Sequence, residues 1–292
     1  MKKQSYLKLL TSMVLFGTIG LFVRHISLPS SLIALVRGVI GSVFLLAVMA
    51  LSGKKFSLSD IRKNAVMLFL SGAFLGLNWV ALFESYRYTS VAVSTLCYYM
   101  APVLVILASP LVLKEKMTGR KLMCVILAIC GAVCISGVFD ISISGSQHGK
   151  GILLGLTAAL LYASIMLINK RMGAIDPYSK TVVQLGVSAV VMLCYCLLTG
   201  AMEQIRAGVE PKMIILLLIV GVVHTGITYF LYFGAMEYIS GQSIAMISYL
   251  DPLVAILVSV TLLRDPIKPL DILGGLLILG AAAVSEFPTK KG

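Results

Sequence analysis

Charge is what this sequence has little of. Only 12% of its 292 residues are Asp, Glu, Lys or Arg, about half of the roughly 25% usual in soluble domains. A water-soluble fold of this length needs a charged skin, and this composition excludes one. Acids are scarcest, 12 against 24 Lys and Arg, for a net charge of +12. The basic residues are scattered between apolar runs rather than gathered in one patch, which argues for membrane-protein loops and against a nucleic-acid partner. The three histidines, His25, His148 and His224, lie far apart, so no zinc-type ligand spacing exists. All six cysteines (Cys97, Cys124, Cys130, Cys134, Cys194, Cys196) fall inside apolar runs, which excludes a loop disulfide framework. The polar/apolar alternation of a membrane β-barrel is also lacking.

What is there is apolar. Hydrophobic residues make up 59% and the mean hydropathy is +1.00. Ten apolar runs stand out: residues 6–23, 31–51, 65–83, 91–113, 121–139, 152–168, 181–198, 213–233, 241–263 and 270–284. Each is close to the length of one bilayer crossing, roughly 17–25 residues. In lipid every backbone N–H and C=O must be paired within the protein, so these runs are expected to be helices. The first follows Met1-Lys2-Lys3 without a convincing small-x-small cleavage site, and reads as a retained helix. In a ten-span arrangement 16 Lys and Arg fall in segments on the N-terminal side, seven on the other, and Arg37 alone within a span. The positive-inside rule then puts both termini in the cytoplasm and the chain in the plasma (inner) membrane.

The chain repeats itself. Shifted by 150 residues, Tyr88, Ser90, Tyr99, Pro102, Ile106, Leu107, Ser109 and Leu113 meet Tyr238, Ser240, Tyr249, Pro252, Ile256, Leu257, Ser259 and Leu263. Lys114-Glu115 then meets Arg264-Asp265, and upstream Gly76, Trp79 and Phe83 meet Gly226, Tyr229 and Phe233. Residues 1–140 are read as one five-helix repeat, 141–150 as an external linker and 151–292 as the second repeat. Five is odd, so the second copy enters the membrane the other way up. The expected fold is all-α, with ten transmembrane helices in two inverted repeats around a central cavity, an arrangement suited to alternating access.

These features resemble the ten-helix EamA-type transporters of the drug/metabolite transporter superfamily, over nearly the whole chain. The residues that carry the likeness are Tyr99-Met100-Ala101-Pro102 and Lys114-Glu115, with their partners Tyr249-Leu250-Asp251-Pro252 and Arg264-Asp265, and Arg37 in span two. Asp265, followed by Pro266, stands where the family usually has Glu. The resemblance implies a basket of helices around a cavity, with spans five and ten at the periphery, and movement of amino acids and related metabolites.

Asp251 is the sharpest candidate. A carboxylate at the middle of a span costs roughly 2.5–3.5 kcal/mol. It is read either as a cavity group that binds a substrate ammonium or carries a proton, or as a neutral acid used in packing. Pro102 and Pro252 each remove a backbone donor within a span. The carbonyls so freed, near Tyr98 and Ser248, need partners or face a cavity. Asn78, Trp79, Phe83, Tyr98, Tyr99, Tyr162, Tyr229, Tyr232 and Tyr249 are candidate lining for a solute with an apolar body and a polar end. Ordinary core packing also fits each of them singly. His224 is read as a satisfied polar group or a proton relay. Arg37 is read either as a binder of a substrate carboxylate or, in preference, as a structural residue that snorkels to the interface or bridges carbonyls between helices, and Glu115 and Asp265 are structural charges. Glu84 and Arg87 read as an interfacial pair.

Gly145 to Gly151 imitates a phosphate loop, but one spacer is missing and no Ser or Thr follows Lys150. With no paired carboxylates and no Ser/His arrangement, the expectation is no enzyme, no cofactor and no metal. The expected function is secondary transport, with export favoured, of amino acids or related solutes, with protons a candidate driving ion. Nucleotide-sugar or cationic-drug transport, or a non-transporting scaffold, are the competing readings.

Overall fold

The computed structural model describes residues 2–53, 56–114, 117–135, 146–206, 208–236, 238, 244 and 247–286, and every secondary element among them is helical. Span one is Lys2–Arg24, span two Ser30–Leu51, span three Ala65–Tyr88, span five Gly119–Ile135, span six Ser146–Arg171, span seven Pro177–Leu198 and span ten Pro269–Glu286. Span four is divided into Val91–Tyr98 and Ala101–Val112. Span eight runs through Pro211–Leu218, Ile219–Ile227 and Thr228–Met236, and the described helix of span nine is Leu250–Thr261. Seven spans are long and apolar enough to cross a membrane, and spans five, nine and ten are shorter. Span six opens at Ser146, within the segment expected as linker, because the Ser and Gly there give way to a continuous helical run.

The interior mixes apolar residues with small polar ones, and the outer surface is apolar. Ser71, Asn78, Ser85, Ser94, Ser188, Thr225 and Ser259 are fully buried, whereas Leu51, Leu111 and Leu198 stand almost fully exposed. Lipid supplies no hydrophobic force between helices, so close approach at small residues holds them together. A Cβ added at Gly38 of span two would lie 3.0 Å from Leu185 O on span seven. Gly131 and Gly274 lock spans five and ten, each so close that an added Cβ would meet the other's carbonyl at 2.7 and 2.6 Å. Gly72 and Gly76 let span seven in, with Gln184 O and Ser188 Oγ each 2.8 Å from the added carbon.

Helix neighbours follow a pattern. Span three packs on six, one on eight, two on seven, five on ten, one on nine and six on four. Exchanging one with six, two with seven, three with eight, four with nine and five with ten carries each of these pairs into itself or into another of the set. A local feature repeats as well. Lys114 and Arg264, 150 residues apart, both take the left-handed backbone, φ 57° and 55°, where spans four and nine end. That conformation is a common way to stop a helix.

Two helix disturbances shape the centre. Pro102 is the second residue of the helix Ala101–Val112, where its missing donor is harmless. The break falls just before it, at Tyr99 and Met100. Pro252 sits equivalently at the third position of Leu250–Thr261. In span eight, Ile219–Ile227 widens to i→i+5 pairing. The hydroxyls of Thr225 and Thr228 donate to the carbonyls five residues back, Val220 at 3.0 Å and Val223 at 2.7 Å. Such widened turns recur at functional sites.

Candidate functional site

The breaks of spans four and nine bring repeat mates together. Tyr99, at the break of span four, points its hydroxyl at Asp251 Oδ2, 3.0 Å away, and at Ser248 O, 3.3 Å away. The carbonyl freed by Pro252 therefore has a partner. Asp251 is held from behind by span one, because Gly17 lets the Asp251 carbonyl approach to 2.5 Å of where a Cβ would be. Its carboxylate is half-buried and lies within electrostatic reach of Tyr86, Tyr98, Tyr99 and Tyr162.

Aromatic rings form two arcs. One runs through Tyr162, Tyr98, Tyr99 and Tyr249, with centroids 5.1, 6.2 and 6.5 Å apart in turn. The other contains Phe16, Tyr229, Tyr232, Phe233 and Tyr178, in steps of 5.4 to 6.3 Å. Tyr98, Tyr99, Tyr229, Tyr232 and Tyr249 are half-buried and Tyr162 is 37% exposed.

Arg37 turns into the bundle and is 3% exposed. Its Nε donates to Thr225 Oγ1 at 3.0 Å, so it binds a hydroxyl rather than carbonyls. The guanidinium carbon lies 3.9 Å from the centre of the Trp79 ring and 5.3 Å from that of Phe83. Tyr86, Tyr98 and Tyr229 are within its electrostatic reach, so Arg37 joins both arcs and shares Tyr86 and Tyr98 with Asp251. The widened turn of span eight delivers Thr225 to Arg37 and His224 to span one. His224 Nε2 is 3.2 Å from Thr18 Oγ1, and its ring lies 4.7 Å from that of Phe22.

Asn78 stands apart from this group. It is fully buried against span six, its Nδ2 donating to Ala158 O at 2.6 Å. Glu115 lies outside the described residues. Tyr86, Thr225, Phe16 and Arg24 belong to the constellation and were not singled out from the sequence. The one signal for Thr225 was its place beside Gly226 in the repeat.

The two ends of the bundle differ. Where span one begins, a cavity of about 190 Å³ opens among Lys8, Val48, Ser52, Tyr178, Phe230 and Tyr238. Tyr178 there touches Phe233, which stacks on Tyr229 and so leads toward Arg37. At the opposite end a polar cluster ties spans one, three, four and nine together. Asp265 Oδ2 accepts from Val91 N at 3.2 Å and from Ser259 Oγ at 2.7 Å, and Ser259 Oγ accepts from Ala92 N at 3.1 Å. Arg24 lies 3.8 Å from Asp265 Oδ1 and donates to the carbonyls of Tyr86 and Thr89 at 2.6 and 3.1 Å. Glu84 and Arg87 pair at 3.6 Å on the same end. Among the described residues no cluster of His, Cys, Asp and Glu could hold a metal.

Comparison with known proteins agrees with this architecture. The sequence profile of the EamA-like transporter family matches twice, over residues 3–137 and 149–286. The chain is 32% identical to the uncharacterized transporter YxxF of Bacillus subtilis over 255 residues, 87% of this chain and 80% of that one. It is 26% identical to an uncharacterized transporter of Archaeoglobus fulgidus over 275 residues, 94% and 93% of the two chains. A crystal structure at 17% identity superposes with a TM-score of 0.65 over 98% of each chain, which speaks to the fold alone. Two tandem matches that together take in nearly every described span leave one assignment: the chain belongs to the EamA-like transporter family.

Proposed function

We propose that this transporter moves amino acids or closely related small solutes out of the cell by alternating access between two inverted five-helix halves. The observation that carries the reading is the Tyr99–Asp251 pair at the breaks of spans four and nine, set among accessible tyrosines. A half-buried carboxylate with a single hydroxyl partner suits a substrate ammonium or a transported proton, and the rings suit the apolar body of the cargo. The exchange pattern of helix neighbours supports two halves able to swap roles. Asp251, with His224 as a second group, is the proposed coupling site for protons.

Direction is proposed from the ends of the bundle. The open cavity lies where span one begins, on the side that the basic loops assign to the cytoplasm. The other end is closed by Asp265 and Arg24. A resting state that accepts cargo from inside suits an exporter. Flux of radiolabelled amino acids in proteoliposomes, with and without a pH gradient, tests the proposal. The expected result is saturable movement of at least one amino acid, stimulated by the gradient. Absence of movement for the whole panel overturns it.

A further inference from the structure

Arg37 is a buried cation with no ion-pair partner among the described residues. A guanidinium carries five donors in a flat fork. Only Nε has a hydrogen-bond partner, Thr225, and among the described residues no carboxylate forms an ion pair with it. The two Nη groups are unpaired yet not sealed, since neither is among the fully enclosed partnerless atoms. Tyr86, Tyr98 and Tyr229 are the tyrosines within electrostatic reach of the guanidinium. The Trp79 ring lies against the guanidinium, 3.9 Å from its central carbon. An uncompensated charge in a low-dielectric interior is costly, and a ring face offsets only part of that. Packing alone would be served by an uncharged side chain. Asp251 forms no ion pair with Arg37; its hydrogen-bond partner is the Tyr99 hydroxyl.

We propose that the free edge of Arg37 is the seat of the substrate's carboxylate. The proposal rests on the reading that the aromatic space holds the cargo. A carboxylate matches the fork with two parallel hydrogen bonds. Arg37 and Asp251 then stand as opposite charges on one tyrosine-lined space, sharing Tyr86 and Tyr98. That is the charge pattern of a zwitterion, with its carboxylate on span two and its ammonium on span nine.

Trp79 is the only tryptophan in the chain and lies against the guanidinium, so its emission reports on whatever pairs with Arg37. The protein in lipid nanodiscs is titrated with phenylalanine, phenylalaninamide, phenethylamine and sodium chloride while Trp79 fluorescence is followed. Phenylalanine is expected to give a saturable change. The amide and the amine, which lack the carboxylate, should bind at least about tenfold more weakly. In Arg37→Lys, which keeps the charge but loses the fork, the preference for acid over amide should collapse toward parity. Equal binding of the amide to the unaltered protein, a matching saturable response to chloride, or a silent Trp79 each overturns the inference. Carboxylate-selective binding without flux would overturn the transport reading and leave this one standing. Amino-acid flux with the amide carried equally well would do the reverse.

Discussion

The hydroxyl of Tyr99 lies 3.0 Å from Asp251 Oδ2, across the interface between helices that are repeat mates. Tyr99 precedes Pro102 by three residues, as Tyr249 precedes Pro252. The acid that answers Tyr99 exists in one copy only, since the mate of Asp251 is Ala101. The two repeats differ in charge at this position. Asp251→Asn should cut amino-acid flux tenfold or more while the yield and elution profile of folded protein stay unchanged. Tyr99→Phe, which removes only the hydroxyl, should cost less. Full flux in Asp251→Asn would remove the acid from the mechanism.

Asp265 joins the start of span four to the end of span nine through Val91 N and Ser259, and it holds Arg24 beside it. The left-handed backbone at Arg264 turns the chain so that Asp265 N reaches back to Ser259 O at 3.0 Å. Replacing Asp265 with Asn weakens the cap and the ion pair together, and a cap is usually worth about 1 kcal/mol. The closed end should then open more often. Iodide added outside right-side-out proteoliposomes should quench Trp79 more strongly in Asp265→Asn than in the unaltered protein. Unchanged quenching would mean that this cluster does not control access.

Gly17 carries the weight of span nine at the site. An added methyl would lie 2.5 Å from Asp251 O and 2.7 Å from Val254 Cβ. Gly17→Ala should therefore lower stability by about 1–3 kcal/mol through overpacking, read as a drop in thermal midpoint in detergent, and should depress flux by displacing Asp251. Gly280→Ala is the control, since nothing lies within 4 Å of a methyl there, and its midpoint should hold or rise slightly. Equal midpoints for the two variants would contradict the close contact.

Topology has its own test. With 16 basic residues assigned to one side and seven to the other, a reporter fused after Gly292 should be active only in the cytoplasm. Periplasmic activity would reverse the orientation argued for both the cavity and the closed end.

The helices were legible because periodicity and length decide them. A run of about 20 apolar residues has few other stable forms in lipid, and Pro102 and Pro252 announced the two central breaks. Asp251 and Trp79 stood out as rare residue types in apolar surroundings. The place of Arg37 is not legible, because a long flexible stem can snorkel from many positions. Its depth depends on how span two packs on seven and eight, which one helix does not reveal. Asn78 looked like lining for the opposite reason. Polar character shows in sequence, but the face it turns toward Ala158 does not.

Local chemistry along the chain thus settled the number of crossings, their helical form, the doubling of the unit and the rarity of its charges. Which charges meet was left to packing. The neighbours of Arg37, Asp251 and Asp265 are 188, 152 and 174 residues away in Thr225, Tyr99 and Val91. Such distances are closed only when glycine contacts set the helices in place, because hydrogen bonds and charge pairs act over a few ångströms and carry no trace in the order of residues.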